Sequence, residues 1–226
     1  MREIPNSLFK VLAVEEMSLR KMKIGRAIEK VVEKSLEYAY RTKPIPNIIF
    51  VHELIYCPQR SIYANDPQYK HILIENAENP VYLTGHIVEK GVSQYMIEAV
   101  PEVIRSYVVE KEIIGYKIMG EIDILYDHTP IEVKFSSRGV NAPYEHHLIQ
   151  VKLYMWLLNS NRGELIYISP FGIKAFEITE ALDDNDVMSL ITRFKTEIKP
   201  VWDWECTKYC PFYNICTNPY KKPKPI

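Results

Sequence analysis

Hydrophobic and polar residues follow two different periods along the chain, and each change of period marks a predicted element. From Ser7 to about Thr42, apolar residues recur mostly at three- and four-residue steps among charged ones, which predicts one or two amphipathic helices. Pro44 and Pro46 end these helices. We take residues 1–46 as an N-terminal helical segment that packs on the core or, in a second interpretation, presents a partner surface.

Two more helices are predicted before the first strands. Asn47 to Asn65 has the apolar pattern of a helix bent at Pro58, and Val81 to Val100 has that of another helix. The positions predicted to face the core are Val51, Leu54, Ile55 and Ile62 in the first helix, and Leu83, Ile87, Met96 and Ile97 in the second.

The period then shortens to two, and Val, Ile and Tyr become frequent, which is typical of strands. Three strands of an antiparallel meander are predicted: Ser106 to Ile113, Tyr116 to Tyr126 and Pro130 to Phe135. A helix, two strands and a last helix follow: Pro143 to Asn159, Glu164 to Ser169, Ile173 to Ile178 and Asp184 to about Ile198. This order predicts an α/β (α+β) fold in which helices flank a mixed sheet.

The composition is that of a globular protein, with 47% hydrophobic and 25% charged residues in 226. The net charge of −1 gives no global basic field, so nucleic acid would have to bind at a local basic patch. No segment has the roughly eighteen apolar residues of a membrane span, and we expect a cytoplasmic protein. Four cysteines in such a protein point to metal or cluster ligation before disulfides.

The stretch GEIDILYDHTPIEVK, from Gly120 to Lys134, presents three ionisable groups on a predicted two-strand ribbon. Side chains alternate faces along a strand, so Glu132 and Lys134 share one face, opposite the apolar residues between and around them. A reversal at the sequence YDHTP would bring Asp123 beside Glu132. Two carboxylates and an ammonium group are therefore expected to converge.

Carboxylates held close together repel each other unless a cation lies between them, and Mg²⁺ and Mn²⁺ prefer oxygen ligands. A lysine beside them suits metal-assisted hydrolysis of a phosphodiester, in which the ammonium orients water or offsets transition-state charge. So short a pattern also fits an ordinary surface hairpin with solvated charges. The ribbon alone does not exclude the second interpretation.

Polar side chains one turn apart occur on two predicted helices. His86 and Glu89 are three residues apart, and Gln150 and Tyr154 are four apart, so the members of each pair are neighbours on the helix surface. Either member of the first pair can complete a metal site, or both can be ordinary surface residues.

The C-terminal part contains three cysteines within eleven residues, in the array CTKYCPFYNIC. Cys206, Cys210 and Cys216, joined by Cys57 through folding, would form a four-sulfur site suited to zinc or an iron–sulfur cluster. The alternative is a set of reduced, chemically inert cysteines, and so dense an array argues against it.

Six motifs in a fixed order resemble those of the CRISPR-associated Cas-four family of RecB-like exonucleases, within the PD-(D/E)xK nuclease superfamily. They are YCPQRSIY around Cys57, GHIVEKG from Gly85, GEID ending at Asp123, IEVK ending at Lys134, QVKLYMWL from Gln150, and the cysteine array of the tail. Together they cover residues 47–216, and residues 1–46 lie outside the resemblance.

The resemblance implies a RecB-like nuclease fold with a divalent cation, Mg²⁺ or Mn²⁺, and an iron–sulfur cluster, with [4Fe–4S] favoured over [2Fe–2S]. It makes Asp123 and Glu132 metal ligands and assigns Lys134 to the attacking water. It gives Gln150 and Tyr154 a role in DNA contact and active-site support. It implies four cluster ligands: Cys57, Cys206, Cys210 and Cys216.

The chain departs from the family pattern at two places. Four residues after Gly85, where the family usually has His, this chain has Glu89. We expect Glu89 to be the third metal ligand, because carboxylate oxygen suits Mg²⁺ or Mn²⁺, and His86 is the rival first-motif ligand. The first tail pair is C-xxx-C where the family usually has C-xx-C, which alters the spacing of the cluster ligands.

These features predict a metal-dependent exonuclease that acts on single-stranded DNA ends and processes fragments for CRISPR spacer acquisition, with endonuclease activity left open. Its expected partners are single-stranded DNA and the CRISPR integrase proteins, and a homo-oligomer is compatible. The alternatives are a non-catalytic DNA-end-binding partner of the integrase complex and a zinc-stabilised nucleic-acid-binding module. The predicted division is a helical segment over 1–46, a nuclease core over 47–200, and an iron–sulfur region over 201–226 closed with Cys57.

Overall fold

A computed structural model of the chain describes residues 46–77 and 79–221. The predicted N-terminal helical segment, apart from Pro46, lies outside the described residues. In the described ranges, every helix is too short or too polar to cross a lipid bilayer.

The centre of the fold is a six-stranded mixed sheet. Its strands are β1 (Ile48–Phe50), β2 (Ile104–Ile113), β3 (Tyr116–Tyr126), β4 (Thr129–Phe135), β5 (Gly163–Ser169) and β6 (Gly172–Ile178). The long strand β3 pairs along one edge with antiparallel β2, and along the other with parallel β1 and then antiparallel β4. Strand β5 runs parallel to β4, and β6 is antiparallel to β5. The predicted meander and mixed sheet are confirmed.

Helices cover the sheet and connect its parallel strands. They are α1 (Val51–Ile55), α2 (Pro58–Asn65), α3 (Lys70–Ala77), α4 (Pro80–Ala99), α5 (Glu145–Leu158) and α6 (Asp184–Thr196). Helix α5 lies between β4 and β5 in sequence, which is why these two neighbours are parallel: a parallel pair requires a crossover. A single π-helical turn, Glu205–Tyr209, begins the cysteine-rich tail.

Two tight reversals bound β3 and fix its register. At the β3–β4 turn, Asp127 and His128 have φ of 43° and 60°, and at the β2–β3 turn, Ile114 and Gly115 have φ of 46° and 80°. Two consecutive residues with positive φ are the signature of the type I′ turn, whose twist matches that of antiparallel strands. The predicted reversal within YDHTP is therefore a two-residue hairpin.

The two faces of the sheet pack against different helices. Ile131 and Val133 of β4 pack with Met96 of α4, while Leu165 and Tyr167 of β5 pack against Val151 and Met155 of α5. The β4–β5 register places Glu132 opposite Leu165 and Lys134 opposite Tyr167. The two charged residues of β4 consequently face the α5 side.

Three expectations from the apolar pattern are wrong. Residues Ile48–Phe50 form strand β1, where a helix was predicted, and the helix expected to bend at Pro58 is broken into α1 and α2. Ile62 and Ile87, predicted to be buried, are each 57% exposed. Periodicity selects a helix face, but the residues that other elements cover depend on packing that the local pattern does not contain.

Candidate active site and four-cysteine pocket

The β3–β4 hairpin brings Asp123 and Glu132 together. Asp123 Oδ2 accepts a hydrogen bond of 2.9 Å from the backbone N–H of Val133. The carboxylate therefore takes the place of the backbone carbonyl oxygen that would accept this hydrogen bond in regular strand pairing. The backbone pairing of β3 with β4 extends from the turn only as far as Ile124 and Ile131. The strands are thus held by a side chain at the level where the two carboxylates meet.

Glu132 is 1% exposed, and within the described part of the chain only one of its two carboxylate oxygens has a partner. Its Oε1 forms an ion pair with Lys134 Nζ, but its Oε2 is buried and has no hydrogen-bond partner among residues 46–77 and 79–221. Burying a charged oxygen without a partner is costly, and such atoms are rare in folded proteins. An orphaned carboxylate oxygen beside a second carboxylate is the chemistry expected of a cation site.

Burial and neighbouring charges shift the pKa of both carboxyl groups on the ribbon. Burial raises the pKa of Asp123 well above its ordinary value, and the charges of Glu132 and Glu89 raise it further. Burial likewise raises the pKa of Glu132, Lys134 and Gln150 oppose that rise, and Glu89 adds to it. The charge of Glu89 on α4 therefore disfavours ionisation of both carboxyl groups of the ribbon.

Lys134 is held in its charged form. Burial by itself would lower the pKa of its ammonium group, but Glu132 and Asp123 outweigh burial and raise the pKa above its ordinary value. The side chain therefore keeps its proton at neutral pH and can donate hydrogen bonds. It cannot accept a proton from water while it remains charged.

The structure separates the two candidates on α4. The Glu89 side chain is 20% exposed and its Oε1 lies 3.0 Å from Lys90 Nζ, while the His86 side chain is 44% exposed. His86 Nδ1 lies 3.8 Å from Glu89 Oε2. The charge of Glu89 acts on both Asp123 and Glu132, which favours Glu89 over His86 as the α4 residue of the site.

Helix α5 supports the strand that carries Asp123. Tyr154 donates a hydrogen bond of 2.8 Å from its hydroxyl to the Glu121 carbonyl oxygen and accepts one of 3.0 Å from Gln150 Nε2. A Cβ at Gly120 would lie 2.7 Å from the Tyr154 ring, so only glycine permits this approach. This role of Gly120 was not predicted from the sequence, although the glycine stands in the GEID motif.

Aromatic rings gather around His146, at the start of α5 and near the carboxylates. The ring of His146 stacks on Tyr144 at 5.8 Å between centroids and lies 4.8 Å from Trp204 and 6.1 Å from Trp202 of the tail. Burial lowers the pKa of His146 to about 4, and the Lys134 charge contributes. The imidazole is therefore neutral at pH 7, and Tyr144 keeps 40% of its surface exposed.

The four cysteines line a single pocket, which α2 and the tail enclose. All four are free thiols and partly buried, and they lie around the pocket together with Arg60, Tyr63 and Glu205. Burial raises the pKa of the Cys57 thiol to about 11, and burial also raises that of Cys210. Folding thus brings Cys57 to the tail cysteines, as a four-sulfur site requires.

The donor chemistry fits a metal group at both places. Four thiols suit zinc or an iron–sulfur cluster, and three carboxylates suit Mg²⁺ or Mn²⁺. Across residues 46–77 and 79–221, no group of three or more His, Cys, Asp or Glu side chains has the spacing of an assembled metal site. Ligation at either place therefore requires rotation of these side chains.

Asp123 makes the stability of the metal-free protein depend on pH. Its folded pKa is raised, so between that value and the ordinary value of about 4 the folded state binds a proton that the unfolded state does not, and stability rises as pH falls. We expect Asp123→Asn in EDTA to melt about 2–4 °C above the wild type at pH 7.5, with a smaller gap at pH 5. Thermal melts at both pH values check this, and a wild type more stable than Asp123→Asn at pH 7.5 would contradict it.

Comparisons with known proteins bear on the family and on the fold. The CRISPR-associated exonuclease Cas4 of Saccharolobus solfataricus is 31% identical over an alignment of 199 residues that covers 83% of this chain and 96% of that protein. The crystal structure of SSO0001 aligns with a TM-score of 0.74 and 30% identity, and covers 86% of this chain and 97% of its own. An alkaline exonuclease of Laribacter hongkongensis aligns with a TM-score of 0.45 and 13% identity over 66% of this chain and 84% of its own. No protein-family model matches the chain.

Proposed function

Because the chain belongs to the Cas4 family of CRISPR-associated exonucleases, we propose that it is a nuclease that uses Mg²⁺ or Mn²⁺ to hydrolyse single-stranded DNA from its ends. The observation that carries this proposal is the orphaned Oε2 of Glu132, buried beside Asp123 and the charged Lys134. A merely structural ion pair would not need the second carboxylate, which raises the cost of burial.

Three side chains would hold the cation: Glu89, Asp123 and Glu132. When bound, Mg²⁺ or Mn²⁺ supplies Lewis acidity toward a phosphoryl oxygen and lowers the pKa of a water molecule. Lys134 keeps its proton at Nζ, so it orients that water by donating a hydrogen bond and offsets negative charge on the phosphodiester. This assigns Lys134 the role of a hydrogen-bond donor in the proposed reaction.

Gln150 and Tyr154 position the strand that carries Asp123. The Tyr154 hydroxyl is fixed between Gln150 Nε2 and the Glu121 carbonyl, two residues before the catalytic carboxylate. Fixing the backbone there fixes the direction in which Asp123 points, and small displacements of a catalytic group are costly. The Gln150 side chain also lies beside Glu132, where it can contact a bound strand.

The aromatic cluster around His146 supports a preference for single strands. Unpaired bases stack on aromatic side chains, with about 1–3 kcal/mol per base, whereas paired bases hide their faces inside the duplex. Tyr144 and Tyr209 keep 40% and 47% of their surfaces exposed at the edges of this cluster. The Lys134 charge acts on the His146 imidazole, so a strand stacked there would lead toward the carboxylates.

We further propose that the four cysteines hold an iron–sulfur cluster, [4Fe–4S] rather than [2Fe–2S], with a structural role. Cys206 lies 149 residues after Cys57, so a cluster that joins them closes nearly the whole nuclease core into one loop. Closing a loop of that length restricts the unfolded chain and stabilises the folded one. We also propose, from the resemblance of the motifs to the Cas-four family, that the nuclease works with the integrase proteins in CRISPR spacer acquisition; the name of the relative from Saccharolobus states a CRISPR-associated exonuclease.

The proposed function is tested with end-labelled DNA and protein purified without oxygen. We expect degradation of a linear single strand with Mn²⁺ and none in EDTA, at least tenfold slower degradation of blunt duplex, and survival of a circular single strand. Tight binding to single-strand ends without any cleavage would favour the non-catalytic end-binding protein. Cutting of circles at the linear rate would indicate an endonuclease.

Glu89 and His86 can be told apart by replacing each with alanine. The charge of Glu89 acts on the carboxylate pair, and its side chain is less exposed than that of His86, so we expect Glu89→Ala to slow metal-dependent cleavage by about a hundredfold, on the order of one lost charge-stabilising group. His86→Ala, its matched control on the same helix, should cost less than about tenfold. Glu89→His should keep part of the activity, since imidazole also binds Mn²⁺. A larger loss from His86→Ala would reverse the assignment.

A further inference from the structure

Glu205 is a buried carboxylate that neither the proposed cleavage nor the proposed cluster uses. It directly precedes Cys206 and is 3% exposed. Its Oε2 accepts a hydrogen bond of 2.7 Å from the backbone N–H of Cys57, and its Oε1 accepts two of 2.9 Å from the N–H groups of Val201 and Trp202. One side chain thus binds two segments that lie 148 residues apart in sequence.

The hydrogen bonds that Glu205 accepts offset the free-energy cost of burying its charge. Hydrogen bonds from N–H groups to a carboxylate are among the stronger ones in proteins, and this carboxylate accepts three. The amide of a glutamine at this position would have a single acceptor oxygen, and its NH₂ group would face N–H donors. The N–H donors around both oxygens therefore favour a carboxylate over an uncharged side chain of the same length.

The two segments that Glu205 joins are those that carry the thiols. Cys57 precedes α2, and the other three cysteines follow Glu205 in the tail. Phe212, fully buried, stacks on Tyr63 of α2 at 5.6 Å between centroids and adds a second contact between the same two segments. None of these contacts passes through a sulfur atom.

We propose that Glu205 is a clamp that docks the tail on the Cys57 segment without any bound metal group, and so assembles the four-thiol pocket before a cluster binds. This inference rests on the four-cysteine cofactor site proposed above, but not on nuclease activity. Clamping removes most of the entropy cost of bringing Cys57 to the tail cysteines, so cluster ligands meet in an already closed loop. Glu205 is a positioning residue, since it acts on the ligands through their backbone.

The test is amide hydrogen exchange, measured by NMR on a protein in which serine replaces all four cysteines. With Glu205 intact, we expect slow exchange at the amides of Val201, Trp202 and position 57. Adding Glu205→Gln should speed exchange at all three by at least tenfold. The matched control is Glu53→Gln, because Glu53 is also buried and accepts hydrogen bonds from the backbone N–H of Phe50 and the side chain of Asn65, both outside the tail; it should leave those three rates within about twofold.

A second readout uses the chain with its cysteines. In protein purified without oxygen, Glu205→Gln should lower the iron bound per chain by half or more, while Glu53→Gln should not. Equal exchange rates with and without Glu205 would overturn the clamp, as would fast exchange or failure to fold of the cysteine-free protein with Glu205 intact. Loss of protection across the whole sheet in Glu205→Gln would also overturn it, because the proposed role is local.

Discussion

Asp123→Asn and Glu132→Gln are each expected to slow Mn²⁺-dependent cleavage of a single strand by at least about a thousandfold, on the order of the loss of metal activation. Both substitutions keep the shape of the side chain and remove the negative charge. Asn at position 123 can still accept the N–H of Val133 through its amide oxygen, so the hairpin should stay intact. The measurement is single-turnover cleavage of an end-labelled oligonucleotide at saturating protein.

Glu164→Gln is the matched control for these variants. Glu164 lies on β5 opposite Ile131, so it faces the other side of the sheet from Glu132, and its partner is Arg162 at 3.2 Å. We expect this variant to cleave within about twofold of the wild type. Cleavage by Asp123→Asn at more than a tenth of the wild-type rate would remove these carboxylates from the chemistry.

Replacement of any one cysteine by serine is expected to abolish the visible absorption of an iron–sulfur cluster and to lower the soluble yield. The four thiols line one pocket, and a cluster needs all its ligands during folding. Losing one ligand should therefore act like losing all four. Absorption spectra and iron analysis of protein purified without oxygen check this.

Asn214→Ser is the control for the cysteine variants. Asn214 lies between Cys210 and Cys216 and is exposed, so it changes the same loop without removing a thiol. Its spectrum should match that of the wild type. Stoichiometric zinc and no iron in the wild type would instead identify the zinc-stabilised module and contradict the cluster.

The sequence predicted the larger elements because their patterns are local. Strands β2 to β6 and helices α4 to α6 each repeat one period over seven or more residues. Strand β1 has only three residues, Ile48–Phe50, and pairs with Lys117–Met119 nearly seventy positions away. Its three apolar residues look like the start of a helix until that partner strand is known.

The same distinction between local and long-range contacts holds for the candidate active site and for the four-cysteine pocket. Asp123 and Glu132 are joined by one short hairpin, so strand alternation and a turn sequence were enough to predict that they meet. Alternation did not show that Glu132 is almost completely buried, because that depends on α5. Glu205 was overlooked because its partner Cys57 lies 148 residues away, and a glutamate before a cysteine carries no local signal of that contact.

The metal centre is tested most directly by anomalous scattering from crystals soaked in Mn²⁺. We expect one strong Mn²⁺ peak within bonding distance of carboxylate oxygens of both Asp123 and Glu132, with Glu89 as the third protein ligand. That position would supply the missing partner of Glu132 Oε2. Crystals that contain Mn²⁺ elsewhere but show no peak between Asp123 and Glu132 would contradict a metal-dependent nuclease centred on these residues.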